Sequence, residues 1–213
     1  MKIGVIGATG NAGSAMIIEG YQRGHEMTAI VRNPQKAAQM FGPEIKAVGK
    51  DVFDLSVADL AGFDAVIDAY APRDHVENHV KFAEHLTSLL QGSKTLGLFI
   101  IGSSSLKMAD GTTMNDRLVG QEAMAPWVPV ALAQGREFDY LQTVKDANWI
   151  AFSPQQGFIP GAAMANGYTV GTDEIMSDGN GQSMLMMGAA AKAIMDELET
   201  PTHIQSRFTA VNN

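Results

Sequence analysis

The chain has 213 residues, 46% of them hydrophobic and 18% charged, with no cysteine and a formal net charge of -8. That length suits one domain with an ample core, and the apolar fraction argues against disorder. The missing cysteines exclude a disulfide scaffold, a cysteine-ligated zinc or iron–sulfur site and a cysteine nucleophile, and the acidic balance argues against nucleic acid as a partner.

No stretch reaches the roughly 20 consecutive apolar residues of a membrane span, so no membrane partner is expected. The opening MKIGVIGATG has too short an apolar run for a signal peptide. It predicts a buried first strand at residues 2–6, and a cytoplasmic location is the default. A helix follows from Ser14 to Arg23, then a strand over 26–31 that ends at Arg32-Asn33-Pro34. A short helix (35–40), a strand (45–48), a helix (Ser56–Leu60) and a strand (65–69) come next. The apolar spacing of Val76, Val80, Ala83, Leu86 and Leu90 predicts a helix over 75–91, before a fifth strand over 97–101.

These strands are short and almost continuously apolar, as strands buried on both faces of a parallel sheet are. Their alternation with helices predicts right-handed βαβ units and a doubly wound, Rossmann-like α/β core. Residues 106–124 are polar and read as a loop or flap. A helix over 128–147 and a sixth strand, Trp149–Phe152, follow. Glycines punctuate residues 157–183, which suggests turns and a hairpin, and a helix (189–198) and a strand (207–211) end the chain. The expected organisation is one domain over residues 1–213, with a core to about residue 153 and a small C-terminal lobe from about 154 packed on it.

Gly7-Ala8-Thr9-Gly10-Asn11-Ala12-Gly13 is a G-x-x-G-x-x-G run between the first strand and the first helix. In that place Gly7 turns the chain sharply, Gly10 lets backbone approach a pyrophosphate, and Gly13 allows close packing of helix on sheet. Free N–H groups and the positive end of the helix dipole then face the phosphates. Arg32 stands at the end of the second strand, where an NAD-binding unit usually carries an acidic residue, and Lys36 follows one helical turn later. A guanidinium there suits a 2′-phosphate, so NADPH is expected in preference to NADH. Asp51 and Val52 are placed to contact the adenine, and Ala69, Tyr70 and Ala71 to line the pyrophosphate and ribose.

The catalytic side is defined by an omission. Carbonyl-reducing short-chain dehydrogenases use a Tyr and a Lys four residues later, the Lys lowering the pKa of the Tyr that delivers the proton. None of the four tyrosines has that neighbour; Tyr140 and Lys145 are five apart, roughly 140° round a helix rather than roughly 40°. A flavin or quinone asks less, because it delocalises charge and takes its proton from water. Ser103, Ser104 and Ser105 end the fifth strand, and a serine there either hydrogen-bonds the carboxamide or the acceptor, or merely finishes the strand. His75, Glu77 and His79 miss the zincin order H-E-x-x-H and read as a solvated helix surface with His85 off that face, so no metal is expected. Met184-Leu185-Met186-Met187 reads as core or pocket wall, and there is no G-x-S-x-G elbow.

The opening KIGVIGATGNAGSA, with VRNP after the second strand, resembles the divergent, NmrA-like branch of the short-chain dehydrogenase/reductase superfamily. Over the second half, Trp149–Pro154, Gly167–Asp173, Asp196–Glu199, His203 and Arg207–Thr209 are similar to bacterial NADH-flavin reductases and to flavin reductases of the biliverdin reductase B type. The resemblance spans essentially the whole chain. It implies NAD(P)H at the glycine loop, with Gly7, Thr9, Gly10, Asn11 and Ala12 on the pyrophosphate and Arg32 and Lys36 on the 2′-phosphate. It further implies Arg73 on the cofactor and Ser104 beside the nicotinamide. Departures fall at Met184–Lys192 and at Gln155 and Gln156, which bear on the acceptor pocket.

The expected activity is therefore NADPH-dependent reduction of a small flavin or quinone-like acceptor by a monomer or homodimer. The acceptor would lie between Ser103 and Ser104, the 106–124 loop and the segment from Pro154 to Gly161, with Pro154 and Gln155 as substrate contacts. The alternative is a non-catalytic NAD(P)-binding sensor that signals by binding a partner protein.

Overall fold

The computed structural model describes residues 1–162 and 167–213. Six apolar runs form parallel strands in the expected order: β1 (Lys2–Ile6), β2 (Glu26–Val31), β3 (Lys46–Gly49), β4 (Ala65–Asp68), β5 (Leu96–Ile100) and β6 (Trp149–Pro154). They belong to an eight-stranded sheet ordered β3-β2-β1-β4-β5-β6-β10-β8, with β8 (Tyr168–Gly171) antiparallel to β10 (Ser206–Asn212) at one edge. The order reverses between β1 and β4, which opens a crevice beyond their carboxyl ends.

Side chains along each strand divide between two cores. Ile3, Val5, Leu98 and Ile150 face α1 (Asn11–Gln22) and α7 (Met187–Glu199), whose small face at Ala190 and Ala191 lets the two helices pack side by side. Ile6, Val66, Phe99 and Trp149 face α4 (Asn78–Leu90) and α6 (Val128–Thr143). This period-two division is the sheet geometry expected of a layer covered on both sides. Arg23 ties α1 to α7 at the rim, bonding Glu19 at 2.8 Å, Asp196 at 2.6 Å and Glu199 at 3.1 Å.

Four expectations need correction. The stretch 157–183 makes no hairpin between its strands: β7 (Gly157–Ile159) pairs in parallel with β9 (Met184–Met186), while β8 pairs with β10. Periodicity reports local alternation only, and here both pairing partners are distant in sequence; residues 163–166 of this stretch lie outside the described residues. The flap at 106–124 contains a short helix, α5 (Met114–Leu118), opened by a capping box in which Thr113 and Asp116 satisfy each other's backbone N–H groups. The helix expected to reach residue 147 stops at Thr143, because Val144 turns extended and its carbonyl accepts the indole N–H of Trp149 at 3.2 Å. The first helix begins at Asn11 rather than Ser14. The remaining connections are the short helices α2 (Pro34–Phe41) and α3 (Val57–Leu60), with a 3-10 turn at Val52–Asp54.

At the glycine loop, backbone packs directly on backbone. A Cβ at Gly13 would lie 2.4 Å from the Gly7 carbonyl oxygen and 2.8 Å from the Ala8 Cα. Gly7 itself has φ +73°, and a Cβ there would lie 2.7 Å from the Ala69 carbonyl oxygen. Gly13→Ala is therefore expected to cost about 2–3 kcal/mol in urea unfolding, because backbone has to move. Gly10→Ala, whose added Cβ would meet only the Gly7 carbonyl oxygen at 3.2 Å, is expected to cost much less.

Candidate functional site

Two adjoining cavities occupy the crevice at the carboxyl ends of the strands, of about 760 and 590 Å3. The floor of the larger one is the glycine loop, with Gly7, Thr9, Gly10, Asn11 and Ala12 on its surface. Gly10 is the N-cap of α1, and no side chain caps the first turn, which also carries no acidic residue. The exposed N–H groups of that turn, at the positive end of a 12-residue helix, form a site for an anion. Gly13 is buried beneath the loop and supports it through the contact described above.

Cations rim the same cavity. Asn33 starts α2 by accepting the Lys36 N–H at 3.0 Å, and Pro34 stands in the first turn. This start places Lys36 beside Arg32, both exposed and both on the cavity wall. Arg73 joins them from the loop after β4, behind Ala69, Tyr70 and Ala71. Among the described residues, no ion pair or side-chain hydrogen bond engages Arg32, Lys36 or Arg73. Lys50, also on the wall, is by contrast paired with Asp59. Asp51 and Val52 complete the wall, the Asp51 carboxylate accepting the Phe53 N–H at 3.1 Å. Every cofactor-side residue expected from the sequence thus borders this cavity except Gly13, which lies beneath it, and Ser103.

Ser103 lines the second cavity instead, with Ser104, Pro154 and Gln155. Two of these differ from expectation in chemistry. The Ser104 hydroxyl donates to the Ala131 carbonyl at 3.0 Å and the residue is 8% exposed, so its proton is committed to α6. Gln155 is wholly buried: its amide donates to Thr209 Oγ1 at 2.8 Å, and its carbonyl oxygen accepts from the Met176 N–H and the Ser183 hydroxyl, each at 2.9 Å. Its polar atoms serve the fold. The loop beyond Ser104 is fixed by Arg207, a buried guanidinium that bonds Ser105 Oγ at 2.7 Å and Asp173 at 2.7 Å and lies 4.0 Å over the Phe138 ring. Burial pulls its pKa down and Asp173 pushes it back up.

Sequence reasoning missed Gln134 and Ile101, and reached Phe158 only as part of the Pro154–Gly161 segment; all three border both cavities. A glutamine inside a helix carries no motif, so only the placement of α6 brings it to notice. Tyr140, on the same helix, hydrogen-bonds Thr87 at 2.7 Å, while Lys145 lies past the helix end and donates to the Gln142 carbonyl.

A further correction concerns His79. It is not on a solvated surface: it is 3% exposed, with Nδ1 3.2 Å from Glu137 Oε2 and Nε2 3.2 Å from the Pro72 carbonyl oxygen. α4 starts only at Asn78, which leaves His75 exposed before the helix, whereas His79 faces α6. Asp68, also buried, accepts the Tyr70 N–H at 2.8 Å. Asp68 and His79 therefore hold both ends of the loop that carries Tyr70 and Pro72 to the cavity. Burial pushes the Asp68 carboxyl well up, with the nearby Glu137 adding to it, and burial alone pushes Glu137 up. Burial also pushes the His79 imidazole down. A neutral His79 that donates from Nε2 and accepts the Glu137 carboxylic proton at Nδ1 satisfies every distance. Among the described residues no group of three or more His, Asp or Glu is arranged to hold a metal ion.

The pH dependence of this cluster has a definite sign. A carboxyl raised in the folded state contributes stability that is fully present below its ordinary value near 4 and is lost as pH rises through the folded value. The imidazole has the opposite sign, contributing above its ordinary value near 6.5 and losing that contribution as pH falls. Glu137→Gln keeps a donor for Nδ1 without a proton to lose. It is expected to raise the Tm at pH 9 relative to the unsubstituted protein, by an amount that shrinks toward pH 5 in thermal melts. A uniform loss at all pH values would show that Glu137 is held as a carboxylate.

Comparison with known proteins places the chain. Residues 7–182 match a family model described as NAD(P)H-binding. The uncharacterized protein YwnB of Bacillus subtilis (strain 168) is 34% identical, the match covering 100% of this chain and 99% of that protein. A crystal structure of a protein from Lactobacillus casei is 41% identical with a TM-score of 0.94, covering 100% of this chain and 99% of that one. A Streptococcus pneumoniae TIGR4 protein, provisionally named an NADH-flavin reductase, is 33% identical with a TM-score of 0.88 and full coverage of both chains. The family model spans well over half of the sequence, and this chain belongs to the NAD(P)H-binding family, in the atypical, NmrA-like branch of the short-chain dehydrogenases/reductases.

Proposed function

We propose that this protein is an NADPH-dependent reductase that passes reducing equivalents to a small flavin or quinone-like acceptor. The observation that carries this reading is the pair of joined cavities: one cationic, floored by uncapped helix N–H groups, the other lined by Trp127, Phe158 and Met114. The residues of the first fit a dinucleotide. Gly10, Asn11 and Ala12 would hold the pyrophosphate, Arg32 and Lys36 the 2′-phosphate, Arg73 the phosphate side of the ribose, and Asp51 and Val52 the adenine. When bound, NADPH supplies a hydride, and the acceptor takes it together with one proton from water. The chain's own work is to orient the two rings and exclude water, and the first cavity ends where the second begins, at Ile101 and Phe158. Ser103, whose hydroxyl has no side-chain or backbone partner among the described residues, is better placed than Ser104 to meet the acceptor or the carboxamide.

The NADPH preference rests on Arg32 and Lys36, two cations on one wall with no ion-pair partner among the described residues. Arg32→Asp is expected to weaken NADPH by about tenfold or more in calorimetric titration, since a charge-assisted bond is lost and a repulsion gained. NADH should change much less, and equal losses for both would show that Arg32 does not read the 2′-phosphate. The reaction itself is tested by following NADPH oxidation with riboflavin, FMN and several quinones. Tight NADPH binding without turnover of any acceptor would leave a nucleotide-binding sensor in place of the reductase.

A further inference from the structure

Resting on the reductase reading, we propose that the acceptor is an uncharged, flat molecule and that Gln134 supplies the hydrogen bond at its reacting edge. Two independent observations lead there, one about the whole second cavity and one about its junction with the first.

No Lys, Arg, His, Asp or Glu lines the second cavity among the described residues. Its polar groups are hydroxyls and amides, and its broad surfaces are Trp127, Phe158, Met114 and Ile101. Trp127 is 51% exposed, an indole standing at the rim with its face available for stacking. A phosphate or carboxylate drawn into such a space would lose its hydration and meet no countercharge. The first cavity, a few residues away, has three cations unpaired among the described residues, so the absence of charge in the second separates a polyanionic cofactor from a neutral partner. At about 590 Å3 the cavity suits one fused-ring molecule.

Among the described residues, three border both cavities: Ile101, Gln134 and Phe158. Gln134 alone of these has a polar side chain, and no protein group among the described residues hydrogen-bonds its amide. Gly102 makes room for it: a Cβ at Gly102 would lie 2.4 Å from Gln134 Oε1. The amide therefore lies across the end of β5, where the nicotinamide of a bound cofactor and the acceptor have to meet. Its N–H donates to the oxygen or nitrogen of the acceptor that gains negative charge as the hydride arrives. A donor that meets developing charge binds more strongly in the transition state than in the ground state. The helix that holds it is rigidly seated, since Phe138 one turn later lies under the Arg207 guanidinium.

The test uses the full chain with riboflavin and menadione as uncharged probes and FMN and biliverdin as charged ones. The unsubstituted protein is expected to reduce the uncharged pair with kcat/KM about tenfold or more above the charged pair. Gln134→Leu is expected to lower kcat by about 10- to 100-fold, with NADP+ affinity and Tm unchanged. It should also raise the Kd of riboflavin for the NADP+-saturated protein, read by flavin fluorescence. Gln134→Met repeats the test if the Leu variant melts low, and Gln134→Glu should be slower than either. A preference for FMN or biliverdin would overturn the assignment of an uncharged acceptor. Unchanged kcat and riboflavin Kd in Gln134→Leu would overturn the role of Gln134 while leaving the reductase intact. NADPH binding with no acceptor bound or reduced by the unsubstituted protein would remove the reductase reading itself and this proposal with it.

Discussion

Backbone packed against backbone is the constraint on which the rest of this structure depends. Gly13 on α1 rests on the Gly7 carbonyl, and Gly7 rests on the Ala69 carbonyl at the end of β4, with no space for a Cβ at either point. Three elements that are distant in sequence are thereby held at one spot, the switch point of the sheet. The same contact brings the N-terminus of α1 to the surface of the crevice with its N–H groups uncapped. The shape of the cavity floor and the stability of the fold therefore share one set of atoms, and a change made for either is felt by both.

The two sides of the crevice are stabilised by different physics. Under the loop after β4, three titratable groups, Asp68, His79 and Glu137, are buried together, and burial favours the state that leaves no isolated charge among them. Beside the second cavity the buried group is an ion, Arg207, kept charged by Asp173 and seated on Phe138. It draws β10, the loop after β5 and the segment at Asp173 to one point. The helix α6 touches both arrangements, through Glu137 on one and Phe138 on the other.

Charge also divides the crevice along its length. A chain with net charge -8 still presents Arg32, Lys36 and Arg73 unpaired around one cavity, while the adjoining one has no ionisable lining among the described residues. Net charge describes long-range steering and solubility, whereas a ligand responds to the groups within a few ångströms.

By itself the sequence determined the doubly wound core and most of the residues that line the larger cavity. Both rest on local signals: apolar runs between helices, three glycines at fixed spacing, and cations after the second strand. Each of those residues is a neighbour in the chain of the element that positions it. Several features were decided only by tertiary structure. His79 reads as a surface histidine because its partner, Glu137, is 58 residues away on another helix. Gln155 does line the second cavity, but Thr209, Met176 and Ser183 converge on its amide and take up its polar atoms. β7 and β8 take partners beyond the reach of any hairpin pattern. Gln134 comes to notice only because packing lays α6 across the end of β5. Local spacing encodes turns, caps and faces, but which buried polar groups meet depends on contacts between segments that no spacing specifies.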